Sequence, residues 1–149
     1  MIAISQKCQY ALRGVFELAK RSAGGPISVA DLAAAQAIPP RFLEIIFNDL
    51  RQSGLVKSIR GARGGHLLAR PASEITVGEI IALAEGRINL VKCVSGRETC
   101  PFMGACPFMD MWNEAAAAMQ TIFDRTTVQS LLDKQAASEN KAVPISPVS

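Results

Sequence analysis

The sequence predicts a mainly α fold with one small β-hairpin, and three observations predict it. Apolar residues recur at three- and four-residue spacing in several separate stretches, the period of a helix with one buried face. A Gly-rich turn, Gly61-Ala62-Arg63-Gly64-Gly65, stands between two short β-like runs. Gly24-Gly25-Pro26, Pro39-Pro40 and Gly54 punctuate the chain where short helices should stop and start. With 149 residues, 49% apolar and 19% charged, the chain can bury a core. No apolar run approaches the roughly 18–20 residues of a membrane span, and residues 1–10 lack the apolar centre of a signal peptide. The expectation is a cytoplasmic chain with reduced thiols and no membrane partner.

Taken in order, residues 6–21 read as a first helix with Ala11, Val15, Leu18 and Ala19 on one stripe. Ser28-Val29-Ala30-Asp31 is a capping-box pattern that opens a short helix to about Ala37. Pro39-Pro40 pre-sets φ for a third helix to about Ser53, whose Leu43, Ile46, Phe47 and Leu50 make one buried face. Residues 55–60 and 66–69 form the hairpin arms. Thr76-Val77-Gly78-Glu79 is a second capping box, leading a helix through about Glu85. Residues 92–107 follow neither period. Met111, Ala115, Met119 and Ile122, with Trp112 and Phe123, then form a long apolar stripe. Thr126 with Gln129 is expected to cap a last helix ending near Lys134, before a disordered tail from Ala136. The chain reads as free of internal repeats.

Charge divides unevenly. Residues 1–70 hold ten basic side chains against four acidic ones, a net +6, while the remainder holds six against nine, a net −3. A basic half suits a polyanion. Helices followed by an Arg/Gly hairpin in this order make a winged helix-turn-helix, whose recognition helix enters the DNA major groove. The helix after Pro39-Pro40 is that candidate, with Arg41, Glu44, Ile45, Asn48 and Arg51 opposite its apolar stripe. Arg can donate twice to guanine, Glu can accept from cytosine, and Ile45 can meet a thymine methyl. Ser28 at the preceding helix start, Lys57 on the hairpin, and Arg60 and Arg63 at its tip complete the expected DNA contacts. Any one of these charges could equally be a solvated surface residue; the order of elements carries the reading.

Pro39-Pro40-Arg41-Phe42-Leu43-Glu44, Leu50-Arg51-Gln52-Ser53-Gly54-Leu55-Val56 and Arg60-Gly61-Ala62-Arg63-Gly64-Gly65-His66-Leu67-Leu68-Ala69-Arg70 resemble the bacterial IscR/NsrR-type family of transcription regulators. The likeness begins at Lys7-Cys8-Gln9-Tyr10-Ala11-Leu12-Arg13 and runs to about Lys134. His66 stands where that family more often has Tyr, and reads as a strand residue packing beside the wing.

Cys93, Cys100 and Cys106 lie in one Gly/Pro-containing segment. Three thiolates there can converge on a soft metal centre. The spacing lacks a Cys-x-x-Cys pair, which disfavours zinc, and the compartment disfavours a disulfide. From the residues alone, a cluster, redox-active thiols, zinc or inert cysteines stay open. The resemblance implies an iron–sulfur cluster on these three. Family members place a His three residues after the third cysteine, where Met109 stands here, or take a carboxylate from the partner's first helix, where Gln9 stands. Cys8 is either the fourth ligand, offered by the partner subunit, or a small buried residue of the first helix; Gln9 and Asp110 are the other candidates, and a 4Fe-4S cluster is favoured over 2Fe-2S.

The apolar stripe exceeds what one further helix can bury by itself, so a homodimer on a palindromic operator is expected. The organisation expected is a winged helix-turn-helix over 1–85, a cysteine loop over 86–110, dimerisation helices over 111–135 and a tail over 136–149. Taken with the resemblance, this predicts a dimeric repressor whose DNA affinity follows an iron–sulfur cluster sensing nitric oxide, redox or iron status. The rivals are a cluster-free regulator governed by thiol oxidation or a partner protein, and an iron–sulfur carrier or assembly protein. With one His and no nucleophile–base pair or phosphate-cradling loop, no enzyme is expected.

Overall fold

The computed structural model describes residues 4–86, 88–91, 101–102 and 104–141. Its elements are α1 (Gln6–Lys20), α2 (Val29–Gln36), α3 (Pro40–Gln52), β1 (Val56–Ile59), β2 (Gly65–Leu68), α4 (Val77–Glu85), α5 (Met109–Arg125) and α6 (Val128–Glu139). The strands pair antiparallel with Ser58 opposite His66. The mainly α class and the small hairpin wing are as the sequence predicts.

Local chemistry sets most boundaries. Ser5 caps α1 by accepting from the Cys8 amide at 3.2 Å, and Ser28 caps α2 by accepting from Asp31 at 3.1 Å. Pro40 opens α3, where a missing N–H costs nothing. The capping box at α4 is complete, with Thr76 and Glu79 each serving the other's amide.

The core gathers α1, α2, α3, the hairpin base and α4 around Phe47, Leu18, Leu43, Leu50 and Ile80, all essentially buried. Gly14 lets α1 approach α3, since a β-carbon there would meet the Phe47 ring at 2.8 Å. Arg13 ties α1 to the end of α2, donating to the Gln36 side chain at 3.2 Å and also to its carbonyl.

Two expectations need correction. The last helix is capped by Thr127, not Thr126: its hydroxyl accepts from Ser130 at 3.0 Å. Thr126 instead gives its carbonyl to Val77, and Val128 donates to Ile75, so the α5–α6 corner is stitched to the start of α4. Second, α6 runs to Glu139, because no Gly or Pro interrupts residues 135–139; the rest of the expected tail, 142–149, lies outside the described residues. Val128 of α6 belongs to the main core with Leu132 packed against it, so the C-terminal helices share the head's packing.

Candidate nucleic-acid interface and cysteine loop

On α3 the side chains divide sharply. Leu43, Ile46, Phe47 and Leu50 are buried, while Arg41, Glu44, Ile45, Asn48 and Arg51 face solvent. Ile45 is 61% exposed, an apolar side chain held out in water by the helix that buries its neighbours. Arg51 donates to Asn48 at 3.0 Å, which fixes both heads on one edge of the exposed face. The Ser28 hydroxyl, half-buried, serves as the α2 cap.

The wing carries Lys57, Arg60 and Arg63, all exposed. Two glycines shape it. A side chain at Gly64 would run into the Ile59 carbonyl, and one at Gly65 into the Ile27 backbone. His66 exchanges both backbone hydrogen bonds with Ile27, at 3.0 and 2.7 Å, so β2 is gripped from both sides. Its ring meets Phe47 edge to face, with centroids 5.1 Å apart. The α3 and wing residues expected to meet DNA therefore sit on exposed surfaces of elements joined through this contact.

Phe42 was missed. It is 60% exposed on α3 and, with Gln6, Lys7, Tyr10, Ile45 and Ile46, lines a cleft of about 280 Å³ between α1 and α3. An apolar residue one position off the buried stripe was the available signal. Lys7 crosses that cleft's edge to Asp49 at 2.9 Å.

Cys93 and Cys100 lie outside the described residues. Among the described residues Cys106 is a free, half-buried thiol in the turn before α5, its carbonyl accepting from Met109 at 3.2 Å. A second missed feature is a short repeat: Cys100-Pro101-Phe102-Met103 recurs as Cys106-Pro107-Phe108-Met109. Phe102 and Phe108 are both exposed, and Phe108 directly precedes α5.

Cys8 is fully buried beside Val77 and Ile81, with Leu12 and Phe123 against it. Burial, and then the Glu85 carboxylate, push its thiol up to about 11. Those surroundings hold a neutral packing thiol, the opposite of what a metal ligand offered to another subunit requires. Among the expected donors, Asp110 is an exposed carboxylate in the first turn of α5, and Gln9 is exposed with its amide donating to the Ile4 carbonyl at 3.0 Å.

The sequence profile of the Rrf2 family, described as iron-dependent transcriptional regulators, matches residues 4–134. The chain belongs to the Rrf2 family. An HTH-type transcriptional regulator of Haemophilus influenzae is 36% identical over 132 residues, covering 89% of this chain and 87% of the relative. IscR of Serratia proteamaculans is 32% identical, covering 89% and 80%. Among solved structures, CymR, the global cysteine regulator of B. subtilis, aligns at a TM-score of 0.78 with 34% identity, covering 90% of this chain and 98% of CymR. The T. potens IscR aligns at 0.73 with 28% identity, covering 97% and 93%. This Rrf2 chain is thus a winged-helix transcriptional regulator and not an enzyme. Among its described residues, no helix is long and apolar enough to cross a membrane.

Proposed function

We propose that this Rrf2 protein is a cytoplasmic homodimeric repressor that reads a palindromic operator and whose DNA affinity is governed by an iron–sulfur cluster. The observation that carries the DNA reading is the exposed edge of α3, Arg41, Glu44, Ile45 and Asn48, beside a wing tipped with Arg60 and Arg63. Base edges are read by the first group; Ser28, Arg51, Lys57 and the wing arginines hold phosphates or a narrow minor groove. The dimer reading rests on α5. None of its residues is buried by the described residues of the single chain, and Met111 and Ile122 are about half exposed. Two copies joined there would set two α3 helices roughly 34 Å apart, one DNA turn.

Cys93, Cys100 and Cys106 would hold the cluster. The chemistry of the donor set fits: soft thiolates, with Cys106 partly exposed at the start of α5. Asp110, exposed while Cys8 is buried, is the fourth donor we favour, and the lack of the family's His, with Met109 in its place, favours 4Fe-4S over 2Fe-2S. When bound, such a cluster supplies a group that reacts with nitric oxide or oxidants and reports iron supply. Cys106 leads directly into α5, and the α5–α6 corner is stitched to α4, so a change at this thiol is carried to the head.

A second reading has its own support. The likeness to CymR, a global cysteine regulator, and to an oxidized form of Staphylococcus aureus CymR at 32% identity favours control by thiol oxidation or by a partner protein. Anaerobic native mass spectrometry separates the two. A dimer carrying the added mass of iron and sulfide is expected; a dimer of bare chains that still binds DNA would install the thiol reading instead. Family membership sets the carrier reading aside.

A further inference from the structure

His66 is the chain's single histidine, and it sits where three parts of the head meet. Its backbone bridges Ile27 ahead of α2, its strand partner is Ser58 on β1, and its ring stands at 79° to the Phe47 ring of α3. The Nδ1 atom is buried without a hydrogen-bond partner among the described residues. Burial lowers its proton affinity, and the Arg51 guanidinium of α3 lowers it further. Neither Ser58 nor Ile27, the residues facing it from the other two elements, carries a charge.

We propose that His66 is a positioning residue for DNA reading: its uncharged ring, wedged against Phe47, seats the wing on the recognition helix, and protonating it loosens that seat. A protonated imidazole carries N–H groups on both nitrogens. Its Nδ1–H would point into a buried site with no acceptor among the described residues, which is the costly way to bury a donor. The new positive charge would also face Arg51, whose hydrogen bond to Asn48 orders the exposed edge of α3. The contact runs from ring to Phe47, and Phe47 shares its helix with Arg41, Glu44 and Ile45, so the seat sets how wing and helix face the duplex together.

The direction is unusual, and that makes it testable. A surface histidine near phosphates takes up a proton on binding, so affinity rises in acid. A histidine that must stay neutral gives the reverse, because protons then compete with the binding-competent head. This role for His66 rests on the DNA reading proposed for α3 and the wing.

The test begins with a duplex enriched from a randomised DNA pool by the full-length wild-type protein near pH 8. Binding to that duplex is then followed by fluorescence anisotropy down to about pH 5.5, for wild type and His66→Phe. Wild-type affinity is expected to fall about threefold across that range, with the His66→Phe profile flat or rising. The Hε1 resonance of the chain's one imidazole should titrate below the usual histidine range, a check that needs no variant. Parallel profiles for the two proteins, a wild-type affinity that rises in acid, or an ordinary titration of the resonance would overturn the proposal. A pool that yields no enriched duplex near pH 8 would instead overturn the DNA reading itself.

Discussion

Gly65 lies flat against the backbone of Ile27: a β-carbon on it would fall within 2.8 Å of the Ile27 nitrogen, carbonyl carbon and oxygen. Backbone cannot step aside as a side-chain tip can. The contact is what allows His66 and Ile27 to exchange their hydrogen bonds, and so fixes the wing to the start of α2. Gly65→Ala should therefore cost about 2–4 kcal/mol of folding stability, more than a surface Gly→Ala change, which usually moves stability by a few tenths. Urea denaturation of the two proteins measures it. Gly24→Ala is the control, since none of the described residues lies near its missing β-carbon.

The same contact shows what the sequence could and could not say. The helices were legible because their buried faces keep a period, as with Leu43, Ile46, Phe47 and Leu50. The hairpin was legible from its glycines. Long-range pairings were not: the Ile27–His66 bridge and the stitching of Thr126 and Val128 to α4 join residues far apart in the chain, and no local pattern encodes them. Thr126 looked like a cap because Gln129 follows it at the right spacing, yet its carbonyl is engaged by Val77 and Thr127 takes the cap. Cys8 looked available because it neighbours Gln9, but adjacent residues on a helix point about 100° apart, and one of this pair is buried while the other is exposed. The exposed α3 and wing residues, by contrast, were legible as departures from the apolar stripe.

On the DNA face, Arg41 and Arg63 should separate two kinds of contact. Arg41 lies in the first turn of α3, which the proposed DNA reading sets against base edges; Arg63 lies on the wing tip. Arg41→Ala is expected to cost about 1–3 kcal/mol of binding and to relax preference at one base position. Arg63→Ala should weaken all duplexes alike and reduce the slope of log affinity against log salt by about one. Anisotropy titrations over a salt series with matched and substituted duplexes distinguish them.

Cys8 makes a pH prediction with a definite sign. Its thiol is pushed up to about 11 by burial and by Glu85. The neutral thiol therefore contributes stability that is complete below the unfolded-chain value, near 8.5. That contribution is lost as pH climbs from there through about 11. Over that window wild type should lose about 2–3 kcal/mol more than Cys8→Ala, since lysine and tyrosine titration affects both proteins alike. Denaturation midpoints at matched pH values give the difference. The same burial predicts that Cys8→Ala keeps its full iron and sulfide content after anaerobic preparation, while Cys106→Ala loses it.

The outward face of α5 supplies the last prediction. Phe123 turns inward, packed with Cys8 and Ile81, so the helix is already anchored on one side. Met111 and Ile122 stand eleven residues apart, close to three turns, and share the side left open to solvent. Phe108, exposed immediately before α5, adds apolar surface at the start of that helix. In a two-fold dimer each substitution is felt twice, once from each subunit. Ile122→Asp should therefore remove roughly 3–6 kcal/mol of association and yield a monomer by sedimentation velocity. Because no α5 residue is buried by the described residues of the single chain, the far-ultraviolet circular dichroism should stay helical. DNA affinity should fall with the dimer, since one recognition helix then reaches only half an operator. An Ile122→Asp protein that remains dimeric would place the subunit contact elsewhere on the surface and remove α5 from the account of how the two heads are spaced.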